Sequence, residues 1–398
     1  MTDRLPEIGM VVLQPTGFCN IACTYCYLPD RDTRHVMAQS TVRRIFEEVF
    51  RSGWASPEMI VLWHAGEPMA APINFYREAF STIAALCPPT VRLKHSFQTN
   101  ATLVTDDWCR LLLEWNVGVG VSVDGPREVH DSKRRTRGGR GTFDKTMAGI
   151  RCLQRNGVPF HVLTVLGQSG LSDPDGMVSF YESADISKVC FNVEETEGSY
   201  VSELFYTPRE ELRRQFAIFL RRFWHRAREG GKISFVREID QLMPRLFRPE
   251  GIEPRNIQAE PLAMLNVDSH GNVSTFSPEL LGLQDEAYGD YILGNITLNS
   301  LNDIYVAALS SSLYRDIRAG VEACASTCGY YSVCGGGSPV NKLFECGSFR
   351  ATQTSFCTLT QMVPTDLLLE AYDRLEHAWP TSAASFEANS PATADRGL

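Results

Sequence analysis

Three cysteines near the N-terminus have the spacing of an iron–sulfur ligand set. Cys19, Cys23 and Cys26 are separated by three and by two residues. Three thiolates can ligate three irons of a four-iron four-sulfur cluster and leave the fourth iron free to bind a substrate. A structural zinc ion takes four protein ligands, and no Cys or His follows at a suitable short spacing, His35 being the nearest. We therefore predict a redox-active cluster here.

A second group of cysteines lies towards the C-terminus. Cys324, Cys328 and Cys334 precede a run of three glycines, and Cys346 and Cys357 follow it. Four thiolates can hold a second iron–sulfur cluster or a structural zinc ion, and this pattern alone leaves both open. The other cysteines are isolated, and we expect them to be small buried core residues; they are Cys87, Cys109, Cys152 and Cys190.

Composition argues against several classes of protein. The 398 residues are 43% hydrophobic and 21% charged, as in globular proteins, and no apolar run is long enough to span a bilayer. A net charge of -9 argues against nucleic acid as a partner, because such binding needs Lys and Arg to neutralise phosphates. The N-terminal segment lacks a secretory signal, so we expect a cytoplasmic protein with no membrane partner. In that reducing compartment, clustered cysteines indicate metal sites rather than disulfides.

The elements that must position these residues alternate through the first half of the chain. Short apolar runs separated by amphipathic segments predict a parallel sheet with crossover helices. The predicted strands are 10–14, 59–63, 93–99, 117–123, 160–166 and 189–193. The predicted helices are 40–50, 74–86, 105–114, 143–155 and 173–182. Six such units predict an open, partial (βα)6 barrel in an α/β protein, with its chemistry at the carboxyl ends of the strands.

A smaller module follows the barrel. We predict a barrel domain over residues 1–235, a linker and iron–sulfur module over 236–363, a helix over 364–379 and a disordered tail over 380–398. Within the second domain, residues 247–261 are expected to be the linker, and residues 262–276 a hairpin that turns at His270 and Gly271.

The first cysteine group and the motifs at the following strand ends resemble the radical S-adenosylmethionine superfamily. By this resemblance Tyr25 packs near the adenine, and the segment Ala65, Gly66, Glu67 and Pro68 holds the methionine amino group. Further expected contacts to S-adenosylmethionine are Gln98, Asn100, Ser122 and Asp124, the last two at the ribose, and Arg134 at the methionine carboxylate. Ala65 departs from the glycine of the family pattern. We expect it to be tolerated through a negative φ, since backbone carbonyls do most of the binding.

The resemblance implies one-electron chemistry supplied by cofactors. A reduced cluster cleaves S-adenosylmethionine to methionine and a 5'-deoxyadenosyl radical, which abstracts a hydrogen atom from the substrate. An external electron donor of the flavodoxin or ferredoxin type is then required. The protein itself must orient the reactants and exclude water.

The second cysteine group is similar to the auxiliary-cluster module called SPASM, also related to twitch modules, of radical enzymes that modify peptides. The full pattern supplies two auxiliary clusters, whereas this chain retains ligands for one, namely Cys324, Cys328, Cys334 and Cys357. Cys346 competes with Cys357, whose spacing suits the family better. Ser338 replaces a cysteine of the other site, and the upstream cysteines near the hairpin are missing. We thus expect two four-iron four-sulfur clusters in all.

Three further segments, 191–198, 276–282 and 341–345, look like those of maturases that install three-residue cyclophanes in ribosomally made precursor peptides. Such enzymes join an aromatic ring carbon to the β-carbon of a residue two positions later, and an auxiliary cluster could accept the electron released. Candidate proton acceptors are Glu194, Glu195 and Glu279, at least two of which we expect to be solvated surface carboxylates.

Other functions remain open at this stage. Formylglycine formation on a sulfatase is an alternative, although that chemistry pairs two auxiliary clusters with an acidic residue where this chain has Ser277; thioether formation and a non-catalytic iron–sulfur protein are others. Only about ten residues precede the first strand. We therefore expect the leader of the precursor to bind the core enzyme or a separate recognition protein.

Overall fold

The computed structural model describes residues 5–29, 31–198, 200–249 and 252–378. Within these ranges the chain forms an α/β fold with a ten-stranded sheet and a two-stranded sheet. The strands are β1 Ile8–Leu13, β2 Ile21–Cys23, β3 Ala55–Trp63, β4 Arg92–Thr99, β5 Gly118–Ser122, β6 Arg134–Thr136, β7 His161–Leu166, β8 Lys188–Val193, β9 Phe235–Val236, β10 Met264–Val267, β11 Asn272–Thr275 and β12 Gly294–Asn295. The helices are α1 Gln39–Ser52, α2 Ile73–Leu86, α3 Asp106–Glu114, α4 Arg127–Lys133, α5 Phe143–Arg155, α6 Gln168–Leu171, α7 Pro174–Ser183, α8 Arg209–Gly230, α9 Arg237–Asp240, α10 Met243–Leu246, α11 Leu301–Ser310, α12 Ser312–Thr327, α13 Tyr331–Cys334, α14 Pro339–Cys346, α15 Ser355–Cys357 and α16 Val363–Ala378.

The large sheet has the order β12-β11-β10-β1-β3-β4-β5-β7-β8-β9. Strands β1, β3, β4, β5, β7 and β8 are parallel to their neighbours in that order, and helices occupy each connection between them. These are the six strands expected from the sequence. The predicted partial (βα)6 barrel is confirmed, and the parallel arrangement places the carboxyl ends of all six strands at one edge.

Amphipathic helices cover the sheet and close the core. In α1, the buried residues Val42, Ile45, Phe46 and Val49 follow the spacing of a single helical face. Strand β1 is buried along nearly its whole length, as expected for a parallel strand covered on both sides. The core therefore holds β1 firmly and fixes the start of the loop that carries the first cysteines.

The hairpin expected near residue 270 is present and joins the barrel sheet. Strands β10 and β11 are antiparallel, and Gly271 in the turn has a φ of 83°, which favours glycine. Strand β10 also pairs in parallel with β1, Met10 lying opposite Met264 and Leu13 opposite Val267. The second module is therefore hydrogen-bonded to the first strand of the barrel.

The second module has its own small core. Phe276, Leu280, Ile317 and Phe349 belong to one buried cluster, in which helix α12 packs against the segment after the hairpin. The last helix begins at Val363, and a π-helix over Thr358–Met362 precedes it. The tail predicted over 380–398 lies outside the described residues. None of the described helices is long and apolar enough to cross a membrane.

The isolated cysteines differ from expectation at one position. Cys109, Cys152 and Cys190 are buried, as predicted, but Cys87 is only half-buried. The reason is its place as the residue that caps the C-terminal end of α2, where the helix leaves the core.

Candidate active site

The loop between β1 and α1 carries the first cysteine group and is held by a distant segment. Strand β2, which ends at Cys23, pairs with β6, so that Cys23 lies opposite Arg134. The Arg137 guanidinium donates to the Cys19 carbonyl oxygen from Nε at 3.0 Å and from Nη2 at 2.9 Å. Backbone pairing and this two-point contact therefore fix the cysteine loop.

The three thiols of the first cysteine group interact with one another. Burial raises the pKa of Cys19 to about 12, and the charges of Glu67, Cys23 and Cys26 add to the effect. The thiols are thus near enough to interact electrostatically. A four-iron cluster, in which separate irons each take one thiolate, would be held by these three residues, and ligation to it would keep the thiolates ionised.

Glu67 ties together the ends of β3 and β4. It is 1% exposed, and its carboxylate accepts hydrogen bonds from Thr99 Oγ1 at 2.7 Å, the Asn100 amide at 2.8 Å and the Met69 amide at 3.0 Å. Burial raises the pKa of the Glu67 carboxyl, while these three bonds oppose the shift. Glu67 therefore shapes the segment expected to hold the methionine amino group.

The backbone around Ala65 corrects one expectation. Ala65 has a φ of 67°, and not the negative value predicted for it. Gly66 has a φ of 59°, and a Cβ there would lie 2.7 Å from the carbonyl oxygens of Thr16 and Phe18. The tight approach of this turn to the cysteine loop forces both residues into the left-handed region, where an alanine is strained.

Amide side chains project from the end of β4. Gln98 Nε2 donates to Ser122 Oγ at 2.8 Å, which links β4 to β5. Asn100 Nδ2 donates to Asn20 Oδ1 at 2.9 Å and lies 4.0 Å from Cys19 Sγ. These contacts join Gln98 to Ser122 across two neighbouring strands. They also bring Asn100 to the cysteine loop.

A buried ion pair lies beside the second cysteine. Arg134 Nε donates to Asp124 Oδ2 at 3.0 Å, and the Tyr25 hydroxyl donates to the same oxygen at 2.7 Å. Arg134 Nη1 lies 3.8 Å from Cys23 Sγ. Tyr25, Asp124 and Arg134, predicted separately from the sequence, therefore form one hydrogen-bonded unit against the first cysteine group.

Three carboxylates gather near the third cysteine. Burial raises the pKa of Tyr27 strongly, and the charges of Glu279, Glu197, Cys26 and Glu195 raise it further. Burial also raises the pKa of Glu195 and Glu279. For Glu197 the charges of these two residues add to burial, and its carboxyl is hydrogen-bonded to that of Glu195. The three carboxyls therefore form one mutually interacting group near Cys26.

The expectation that at least two of the predicted carboxylates are solvated is wrong. Glu194 is 5% exposed, and Glu195 and Glu279 are half-buried. Glu194 is engaged by the Tyr200 hydroxyl at 2.6 Å and by Lys133 Nζ at 3.4 Å. Glu194 directly follows β8 and is covered by the Tyr200 and Lys133 side chains, which explains its burial.

The second cysteine group converges on four residues. Burial raises the pKa of both Cys324 and Cys357, and the charges of Cys328 and Cys334 add to each shift. Cys346 is exposed instead, and its Sγ lies 3.8 Å from the Gln353 carbonyl oxygen. This arrangement favours Cys357 over Cys346 as the fourth residue of the second cysteine group.

Two serines occupy positions where the resemblance leads to other residues. Ser338 stands at a lost cysteine and Ser277 at an acidic position. Both hydroxyls are buried, and neither has a hydrogen-bond partner among the described residues. Because neutral hydroxyls do not replace thiolates as iron ligands, this fits the expected loss of one auxiliary site.

Comparison with known proteins identifies the family. The family model described as the Radical SAM superfamily matches residues 13–180. An uncharacterized protein of Synechocystis is 36% identical over 353 residues, which is 88% of this chain and 88% of that protein. The chain belongs to the radical SAM superfamily. It is a radical SAM enzyme, and S-adenosylmethionine and one four-iron four-sulfur cluster are its cofactors.

Other similar proteins extend over most of this radical SAM enzyme. A cysteine-type anaerobic sulfatase-maturating enzyme of Clostridium novyi is 23% identical over 364 residues, or 85% of this chain and 89% of the relative. The solved structure of anSMEcpe with bound AdoMet and the Kp18Cys peptide has a TM-score of 0.74 at 19% identity, covering 94% of this chain and 99% of the other. Streptococcus suis SuiB bound to precursor peptide SuiA has a TM-score of 0.60 at 16% identity, covering 89% and 76%. These structures confirm the fold of both modules.

Sequence reasoning missed Glu197 and the role of Arg137 in this radical SAM enzyme. A signal for Glu197 was present, since Glu195 and Glu197 alternate after the end of β8 and so share a face. No comparable signal existed for Arg137, because its contact with Cys19 spans 118 positions of sequence.

Proposed function

We propose that this radical SAM enzyme modifies a ribosomally made precursor peptide and joins an aromatic ring carbon to the β-carbon of a residue two positions later. The observation that carries the proposal is the carboxylate cluster of Glu195, Glu197 and Glu279 beside Cys26. Such a crosslink leaves the ring with an excess proton and electron. A half-buried proton acceptor next to the first cluster is what this chemistry requires.

The cofactor site follows from the family and from the contacts above. When bound, S-adenosylmethionine on the reduced cluster supplies the 5'-deoxyadenosyl radical that takes the β-hydrogen. We assign Cys19, Cys23 and Cys26 as the ligands of the first four-iron four-sulfur cluster. The residues assigned to S-adenosylmethionine are Tyr25, Ala65, Gly66, Glu67, Pro68, Gln98, Asn100, Ser122, Asp124 and Arg134, which orient it and exclude water.

Glu195 is the proposed proton acceptor. Asn341 Nδ2 donates to Glu195 Oε2 at 2.6 Å and fixes the carboxylate. Burial raises the pKa of the Glu195 carboxyl, which makes its carboxylate a stronger base for a proton from the substrate. Glu279 adds a third carboxyl to this group, and Glu194 has a structural role through its ion pair with Lys133.

The electron acceptor in this proposal is a second four-iron four-sulfur cluster on Cys324, Cys328, Cys334 and Cys357. In this proposal the module over residues 236–363 holds the second cluster against the barrel domain of residues 1–235. A flavodoxin or ferredoxin type donor reduces the first cluster, and the precursor leader binds the core enzyme or a separate recognition protein.

Formylglycine formation is the second candidate function. It is favoured by the similarity over most of the chain to an anaerobic sulfatase-maturating enzyme. Against it stand the single retained auxiliary site and Ser277 at the acidic position. The two reactions leave different products, so the peptide itself decides between them.

Co-expression with a candidate precursor peptide, sought in the neighbouring open reading frames, tests the proposal. Each crosslink removes two hydrogens, so the peptide should lose about two daltons per crosslink while 5'-deoxyadenosine accumulates. Oxidation of a serine to formylglycine gives the same mass change, but its aldehyde reacts with a hydrazide probe and the crosslink does not. Tandem fragmentation should fail between the joined residues. An aldehyde, a thioether at a cysteine or an unchanged mass would contradict the cyclophane assignment, and the Cys19/Cys23/Cys26→Ala variant is the inactive control.

A further inference from the structure

Lys342, in the first turn of α14, is a buried cation beside the second cysteine group. Its side chain is 2% exposed. Nζ donates to the Gly320 carbonyl oxygen at 3.0 Å and to Cys324 Sγ at 3.3 Å. The Lys342 ammonium group therefore points directly at a sulfur atom of the second cysteine group.

The surrounding backbone is built to bring Lys342 to this position. A Cβ at Gly320 would lie 2.1 Å from the Phe349 carbonyl oxygen and 3.2 Å from Lys342 Nζ. Only glycine allows α12 to approach the segment around Phe349 this closely, and that approach delivers the carbonyl that Lys342 contacts. The ammonium is therefore held between a fixed carbonyl and a cysteine, and does not reach the sulfur by chance.

We propose that Lys342 is a positioning residue that raises the reduction potential of the cluster on the second cysteine group. This rests on the proposed function, which places an iron–sulfur cluster there. A positive charge and an N–H···S hydrogen bond at a ligand sulfur stabilise the more negative, reduced state of a cluster. Lys342 therefore makes this cluster a better electron acceptor.

Asn341, the residue before Lys342 on α14, contacts the proposed proton acceptor. Asn341 donates to Glu195, the proposed proton acceptor, at 2.6 Å, while Lys342 contacts a ligand of the proposed electron acceptor. Removal of hydrogen from the ring adduct releases one proton and one electron. One turn of α14 thus controls the groups suited to receive each of them.

The test uses the full chain with Cys19, Cys23 and Cys26 changed to Ala, so that only the second group can hold a cluster. After anaerobic reconstitution, iron is counted and the midpoint potential is measured by redox titration monitored by electron paramagnetic resonance. Lys342→Met should shift the ratio of reduced to oxidised cluster at least tenfold towards the oxidised form, or about 59 mV for one electron. Lys342→Arg should retain most of the original potential, and Lys145→Met, at an exposed lysine, should leave it unchanged.

The outcomes separate two kinds of failure. A parent variant without about four irons, or with zinc in their place, contradicts the second cluster itself and the role of Lys342 with it. Four irons with an unmoved potential in Lys342→Met contradict only the role of Lys342. If Lys342→Met loses its iron, Lys342→Gln replaces it in the comparison with Lys342→Arg, and equal potentials in those two variants overturn the inference.

Discussion

Two consecutive residues after β3 adopt left-handed backbone conformations, and only one of them is glycine. Gly66 cannot carry a side chain because the carbonyl oxygens of the cysteine loop lie 2.7 Å from its Cβ position. Ala65 carries a Cβ in the same left-handed region, at the cost of its φ of 67°. The strain at Ala65 is therefore conformational, whereas the constraint at Gly66 is steric as well.

Substitutions at these neighbours should have opposite effects. Ala65→Gly relieves about 1–2 kcal/mol of left-handed strain and loses about 0.5–1 kcal/mol to chain entropy, so the thermal unfolding midpoint should rise slightly. Gly66→Ala should lower it by forcing the cysteine loop away, at a cost of about 1–3 kcal/mol. Anaerobic calorimetry of both variants measures the difference. A lower midpoint in Ala65→Gly would show that the alanine is not strained.

Prediction at the residue scale succeeded where chemistry lies near a strand end and failed where it depends on distant contacts. Cys19 was identified from the spacing of three cysteines, and Asp124 from the resemblance of the segment at the end of a predicted strand to the family. The pairing of Arg134 with Asp124, at 3.0 Å, and the burial of Glu195 could not be inferred, because both depend on how α4, β6 and the hairpin pack. The sign of φ at Ala65 was missed for the same reason.

At the scale of elements, the six barrel strands were predictable because each has at least five residues, which is long enough to show a pattern between the amphipathic helical segments. Strands β2, β6 and β9 have three residues or fewer and give no periodic pattern to detect. Yet β2 and β6 matter to the site, since together they form the two-stranded sheet that holds Cys23. Arg137, directly after β6, extends that hold to Cys19.

Arg137 should therefore control occupancy of the first cluster. Arg137→Lys keeps the charge but loses the two-point contact with the Cys19 carbonyl, which we expect to cost about 1 kcal/mol at this partly exposed site, or roughly fivefold in cluster affinity. Iron retained at the first group during chelator challenge, and 5'-deoxyadenosine formation, measure the effect. Arg140→Lys, at an exposed residue nearby, is the matched control. Equal loss of iron in both variants would show that the contact of Arg137 with the Cys19 carbonyl does not stabilise the first cluster.

At the scale of the whole molecule, one chain carries two cysteine groups. Substitution of a single cysteine in the second group should change that group and leave the first one intact. Cys357 is 6% exposed and interacts with Cys328 and Cys334. Cys346 is exposed and 3.8 Å from a backbone carbonyl. We therefore propose Cys357, and not Cys346, as the fourth ligand of the second cysteine group.

The wild-type chain should hold about eight irons, and Cys357→Ala about four, because one of two four-iron clusters is lost. Cys346→Ala should retain all eight. Cleavage of S-adenosylmethionine should survive partly in Cys357→Ala, whereas peptide crosslinking should be suppressed. Metal analysis of the three proteins gives the counts. Four irons and one zinc in the wild type would assign the second group to structural zinc, and about twelve irons would restore the second auxiliary site.

The position of β1 between β3 and β10 has a consequence for synthesis. Strand β10 begins at Met264 and pairs with a strand that begins at Ile8. At about 5–20 residues per second, the ribosome needs roughly 12–50 s to travel between them. Throughout that interval one edge of β1 has no neighbour, and an unpaired edge invites wrong pairing. The edge of β1, the strand that leads into the cysteine loop, thus stays open until late in translation.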